Sequence, residues 1–513
     1  MNRRERLRQR GRALRERARK LREMPRPVEP LTAKVGWLPL ISWSLYDLAN
    51  TVFSLNIVSL YFGLWIVLEM GGSDSHYGYA NSISMLLIFL TAPVLGALSD
   101  QAKRRMPFLV VTTLVCVAFT ALLGYDGGLA RDDRLLLSLG IFVVANYFYQ
   151  AGLIFYDSLL PVVSTDANRG RVGGVGIGLG YVGSFLGVGA GILLLGIIGY
   201  VGMFQVSALL FLMFSIPCFV FVRETETDDF WPSLWLLAAL LLLLNAWLLG
   251  GDYSLALLVA AIIAGGAYLR ARTAPLLKRN FQLKFIGGAF RQVRDTVRRV
   301  KQFPGLGRFL IGRMFYTDAV NTLIVFMGIY ITGEFDFSTQ QVQYFLLIGI
   351  GTSILGGFGW GWVVDWLGPK TSLNLVLWTW FFNFTMIIGV ALFDLPTAIL
   401  WVGAATAGIA LSGTWAADRP YMLRLTPPRL VGQFYGLYSM VGRFATIIGP
   451  VMWALIVDTL GWGRPAAVAA LFLFTIVGYI ILQGVDDAPR DWPPELLADY
   501  EPEPPRGAIG RSR

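Results

Sequence analysis

Long apolar runs broken by short polar turns recur along the whole chain, and runs of about 18 residues or more read as membrane-spanning helices. They start near residues 37, 79, 107, 135, 173, 200, 231, 254, 308, 340, 371, 396, 434 and 465, which predicts fourteen helices in an all-α integral membrane protein. Trp231 to Leu249 and Ser254 to Leu269 are two short runs joined by "GGDYS", which carries no positive charge. They enter the membrane together or not at all, so the register of the other helices survives either way. The flanks support this topology. With the N-terminus inside, 38 of the 43 Lys and Arg residues fall on cytosolic segments. Only Arg131, Arg134 and Arg464 fall on outer ones, and Arg313 and Arg443 lie within helices. Cytosolic flanks of membrane proteins are rich in these residues.

Polar residues inside the apolar runs follow a second pattern. "YDLANT" places Asp47, Asn50 and Thr51 on one helix, and "YTDAVNT" repeats the spacing with Asp318, Asn321 and Thr322. "GALSD", ending at Asp100, is matched by "GWVVD", ending at Asp365. Asp157 with Arg169 and "RVGG" is matched by Asp418 with Arg429 and "LVGQ". The offsets are 271, 265 and 261 residues, so the chain reads as a parallel six-helix unit written twice. The expected organisation is a basic N-terminal segment 1–36, a six-helix bundle 37–223, a linker 224–304 with the extra hairpin at 231–269, a second bundle 305–485, and a disordered tail 486–513. The hairpin is expected to pack outside the twelve-helix core.

Parallel six-helix halves joined by a basic linker are the design of the major facilitator superfamily, whose substrate sites lie near midplane between the halves. "GALSDQAKRR" resembles that superfamily's loop between helices 2 and 3, although Gln101-Ala102 departs from the commoner continuation. More narrowly, "WSLYDLANTVFS", "FYDSLLP" with "RGRVGGVGIGLGYVG", "YTDAVNT" and "DRPYMLRLTPPRLVGQFYGLYSMVGR" resemble the autophagy-related vacuolar effluxer-like family. The likeness covers roughly residues 37 to 223 and 305 to 485. It implies a transporter, with amino-acid efflux the family's best-known activity, and leaves the substrate of each relative open. It also implies a gating role for Asp100, Lys103, Arg104, Arg105 and Asp365.

The acidic repeat can be placed by depth alone. Asp47 and Asp318 each lie ten residues into their predicted helices, roughly 15 Å at 1.5 Å per residue, near the middle of a hydrocarbon core of about 30 Å. Asp, Asn and Thr at i, i+3 and i+4 share one helix face, which should line a cavity. A charged Asp at that depth costs roughly 2.5–3.5 kcal/mol and marks a functional site by default, and desolvation there makes reversible protonation available. Two roles stand for Asn50, Thr51, Asn321 and Thr322: binding, or hydrogen bonds that hold helices together. Arg443, about nine residues into its helix, cannot be neutralised and needs an anion from protein or solute. Arg313, nearer the cytosolic end, is expected to snorkel. Asn146, Gln150 and Asp157 form a stripe on the fourth helix, with Asn146 and Gln150 as binding candidates against a packing role. Asp157 and Asp418, beside Arg169, Arg171, Arg419 and Arg429, fit an ion-pair latch on the inner side, against plain solvated charge.

Composition narrows the function. The 513 residues are 55% hydrophobic and 15% charged. Cys116 and Cys218 both lie in apolar segments, and His76, the one histidine, is in a polar loop, which argues against disulfides, cysteine metal sites and histidine relays. Enzyme chemistry is not expected, nor is a cofactor. The glycine run "GGVGIGLGYVGSFLGVGAG" lies within a span and lacks a Lys-Ser/Thr ending, so it reads as close helix packing rather than a nucleotide loop. The Arg-rich N-terminus, with Leu7, Leu14 and Leu21 on one stripe, suits anionic lipid headgroups better than nucleic acid. The resulting expectation is a monomeric secondary transporter in the cell membrane, both termini cytosolic. It would move a small polar solute, an amino acid first, with coupling to a proton or another cation open. A cation-coupled sugar or lipid carrier is the alternative, and a non-transporting receptor or scaffold is the alternative of another class.

Overall fold

The computed structural model describes residues 30–224 and 284–486 except 103, 126, 166–167 and 428–429, together with positions 488, 490, 492, 493 and 496. The first half contains α1 (Trp37–Leu68), α2 (Asp74–Ala102), α3 (Met106–Ala121) and α4 (Arg131–Asp157). It closes with one continuous helical stretch, Arg169–Phe221, that breaks at Gly199 (φ 66°, ψ −176°) into α5 (169–198) and α6 (200–221). The second half contains α7 (Leu306–Phe335), α8 (Thr339–Leu367), α9 (Pro369–Leu392), α10 (Ala398–Leu425), α11 (Val431–Ala454) and α12 (Arg464–Gln483). Among the described residues ten helices are long and apolar enough to cross a membrane; one of them, Val172–Phe221, is 50 residues, enough for two crossings, and α3 is a shorter apolar helix. The hairpin expected at 231–269 and the basic segment 1–29 lie outside the described residues, so the count of fourteen is not tested there.

Successive helices run antiparallel, so the starts of α1 and α7 share one end of the bundle, here the basic end, and the starts of α2 and α12 share the far end. Large apolar side chains such as Ile197 (79% exposed) and Trp366 (73%) face outward, as lipid-facing residues must. Inside, aromatic rings from several helices stack: Phe62 on Phe142 at 4.5 Å, and Phe326 on Trp453 at 4.7 Å. The glycine run behaves as packing chemistry requires. Gly176, Gly180, Gly183, Gly187 and Gly191 face α1, where an added Cβ would meet Trp43, Asp47, the Leu48 carbonyl, Asn56 and Tyr61. Small residues let two helix backbones approach this closely. A further helix, Lys284–Val300, lies against both α2 and α11 and so touches both halves.

Arg313 does not snorkel. It is 3% exposed, and its Nε donates to Asp418 Oδ2 at 2.8 Å while its guanidinium lies 3.7 Å over the Tyr438 ring. The hydroxyls of Tyr316 and Tyr438 each donate to the same carboxylate at 2.8 Å. With an acidic partner and two tyrosines on α10, α7 and α11, the guanidinium has no need to reach for water.

Candidate functional site

The candidate site is built where the two halves meet. Asp47 on α1, and Gln150 and Asp157 on α4, come from the first half; Arg419 on α10 and Arg443 on α11 come from the second. Asp157 interacts electrostatically with Arg443 and Arg419, and Asp47 with Asp157 and Arg419. Arg443 also acts on Tyr149, and its Nη1 donates to the Gln150 carbonyl at 3.2 Å. Tyr181 on α5 faces Arg419 and Asp47. Asp157 and Arg419 are exposed, and Asp47, Gln150, Tyr181 and Arg443 are half-buried. These groups come from helices of both halves and meet at the boundary between them. Two carboxylates of the first half thus interact electrostatically with two guanidiniums of the second.

Local geometry explains why neighbouring residues serve different ends. Asp418 and Arg419 are consecutive on α10, so their side chains diverge by about 100°. Asp418 turns into the second half, where Arg313, Tyr316 and Tyr438 satisfy it, and Arg419 turns toward the cleft. The first half lacks the matching arginine. At the 271-residue offset Arg313 corresponds to Ser42, so the arginines facing Asp157 come from the other half.

The remaining expected residues divide. Asn146 is fully buried and donates to Asn81 Oδ1 at 3.0 Å and Ser84 Oγ at 2.7 Å, tying α4 to α2. The Thr51 hydroxyl reaches the Gly180 carbonyl at 2.6 Å, another interhelical tie. Asn50 is buried with neither Nδ2 nor Oδ1 engaged, and Asn321 is half-buried. Asp318 is 1% exposed; Oδ1 accepts from the Gly449 N–H at 2.9 Å, Oδ2 has no partner, and the buried Thr322 hydroxyl has none either.

Among the gating candidates, Lys103 and Arg429 lie outside the described residues. Only the helix positions of Asp100, Arg169, Arg171 and Asp365 are described. Arg104 and Arg105 are half-buried, and the backbone N–H groups of Arg105 and Met106 donate to Glu224 at 2.7–2.9 Å, so Glu224 caps α3 from the end of α6.

The sequence reading missed the joint at the far end. Asp74 at the start of α2 is 1% exposed and accepts from Arg464 Nε and Nη2 and from Trp453 Nε1, each at 2.9 Å. Glu334 stands 3.8 Å from Arg464. Gln343 donates to the Tyr61 hydroxyl at 3.2 Å, and Tyr200 and Thr339 share a bond of 2.8 Å. The far end is thus tied across the halves, whereas the cleft with Asp157 and Arg419 reaches toward the basic end. Removing one partner of a buried ion pair costs about 3–5 kcal/mol. Asp74→Asn is therefore expected to raise labelling of a Thr339→Cys reporter by a membrane-impermeant maleimide at least tenfold; an unchanged labelling rate would show that the pair does not hold this end shut.

A family model described as "Vacuole effluxer Atg22 like" matches residues 60–489. The uncharacterized MFS-type transporter YxiO of Bacillus subtilis (strain 168) is 24% identical over 463 residues, covering 87% of this chain and 94% of YxiO. Two solved structures share the fold. The nucleoside transporter NupG has a TM-score of 0.59 at 10% identity, covering 87% of this chain and 99% of NupG. The xylose transporter XylE from E. coli, in an inward-open conformation, has a TM-score of 0.57 at 11% identity, covering 86% of this chain and 94% of XylE. The all-helical fold, with ten candidate membrane spans among the described residues, and these likenesses agree: the chain is a multi-pass membrane protein of the major facilitator fold and belongs to the Atg22-like vacuole effluxer family of MFS-type transporters.

Proposed function

We propose that the protein is a secondary active transporter that carries a small zwitterionic solute by alternating access, an amino acid being the simplest of that class, with a proton as the coupling ion. One observation carries the reading: Asp47 and Asp157 of one half interact electrostatically with Arg419 and Arg443 of the other where the halves meet. A solute with an ammonium and a carboxylate can engage both pairs at once, its ammonium on the aspartates and its carboxylate on the guanidiniums. Arg suits the carboxylate because its planar fork matches two oxygens. Binding of this kind bridges the halves, so solute and gate are coupled by construction. When the cleft closes around the solute, the Asp74–Arg464 joint must open for release at the far end. On this reading the protein resides in the cell membrane with both termini cytosolic, and the cleft faces the cytosol.

The test is counterflow in proteoliposomes with radiolabelled amino acids, xylose and uridine. Saturable counterflow of at least one amino acid, with neither xylose nor uridine exchanged, is expected. Exchange confined to the sugar or the nucleoside would replace this reading with a neutral-solute carrier, and exchange of none of them would contradict it.

A further inference from the structure

The two halves repeat Asp-x-x-Asn-Thr, but the two aspartates meet different surroundings. Asp47 is half-buried at the cleft and acts on Asp157 and Arg419. Asp318 is 1% exposed, set between α7 and α11, with one oxygen on the Gly449 N–H and the other without a donor. The glycine permits the approach: an added Cβ at Gly449 would stand 2.8 Å from Asp318 Oδ1 and overlap the Thr322 hydroxyl. The charges on the packed elements are engaged elsewhere. On α7 itself, Arg308 donates to the Gly484 carbonyl, Arg313 is bound to Asp418 of α10, and Glu334 stands 3.8 Å from Arg464 of α12, which is bound to Asp74. On α11, Arg443 is bound to the Gln150 carbonyl and faces Asp157. Asp47 on α1 faces Asp157 and Arg419, and no charged group among the described residues acts on Asp318.

We infer that Asp318 is the proton site of the transporter, separate from the solute cleft, and that it holds its proton in the conformation closed at the far end. This rests on the transport reading above. An ionised carboxyl here would leave an oxygen buried without donor or counter-ion, a costly arrangement, whereas the neutral carboxyl needs only the donor that Gly449 supplies and an acceptor for its own O–H. The unpartnered hydroxyl of Thr322, at i+4 on the same helix face and beside the same glycine, is the acceptor on offer. Opening the far end would separate α7 from its neighbours, admit water to the carboxyl and release the proton on that side. The movement that releases solute thus also releases the proton. The two aspartates divide the work, Asp47 for solute and Asp318 for the proton.

Two measurements test this, one of them independent of any solute. Infrared difference spectra of the purified protein at neutral pH should show a protonated-carboxyl C=O band that shifts in D2O, is absent in Asp318→Asn and persists in Asp47→Asn. A band that survives in Asp318→Asn, or no band at all, overturns the assignment. In proteoliposomes, Asp318→Asn should raise the ratio of amino-acid counterflow to accumulation driven by a pH gradient at least tenfold. Accumulation driven by a sodium gradient and indifferent to pH would overturn the proton in favour of a metal cation. If the wild type exchanges no amino acid, the transport reading fails and the infrared band still decides the proton site.

Discussion

Arg313→Met is expected to destabilise the protein by about 3–5 kcal/mol, because it strands a buried carboxylate that now has a full complement of donors. Asp418 accepts one charged and two phenolic hydrogen bonds, each at 2.8 Å, and its side chain has no exposed surface. The arginine cannot be replaced by water at that depth, and its stacking on Tyr438 at 3.7 Å is lost as well. Thermal unfolding in detergent should show the drop, and the double variant Arg313→Met with Asp418→Leu should recover much of it, since a matched apolar pair leaves no unpaired charge. A single variant as stable as the wild type would mean that the network contributes little.

Arg443→Gln is the second large effect, and it should fall on transport rather than stability. The guanidinium sits in the cleft on the backbone carbonyl of Gln150 and near Asp157, without the closed shell of partners that holds Arg313. A charged hydrogen bond to solute contributes about 1.5–3 kcal/mol, which is roughly ten- to hundredfold in affinity. Amino-acid counterflow should fall by at least tenfold in Arg443→Gln and less in Arg443→Lys, which keeps the charge but loses the fork. The unfolding temperature should stay near the wild-type value. Equal counterflow in both variants and the wild type would remove Arg443 from the solute site.

Helix positions and the internal repeat were legible because apolar length and the repeated Asp-x-x-Asn-Thr survive as strings of residues. Arg443 was legible for the same reason, as a cation stranded in an apolar run. Partnerships were not. Arg313 lies close to a helix end, where arginines ordinarily reach for water, and only the fold brings Asp418 to it across 105 residues. Asp74 and Arg464, 390 residues apart, each sit at a polar helix flank where charge is unremarkable, so nothing local marks them as one joint. Asn146 and Gln150 are one turn apart on the same stripe, yet the 40° between them sends Asn146 to Asn81 and Ser84 and leaves Gln150 beside the cleft. Equivalent aspartates in the two halves could not be told apart by spacing, because their difference lies in what the neighbouring helices supply.

The central claim is that a zwitterion is held between the carboxylates of one half and the guanidiniums of the other. Counterflow of the exchanged amino acid in competition with its methyl ester and its N-acetyl derivative tests it most directly. The ester removes the charge meant for Arg443 and Arg419, and acetylation removes the charge meant for Asp47 and Asp157. In the wild type both derivatives should compete at least tenfold more weakly than the parent, and in Arg443→Gln the disadvantage of the ester alone should shrink at least threefold, Arg419 holding the remainder. Derivatives that compete as well as the parent, or an ester penalty unchanged in Arg443→Gln, would contradict the account.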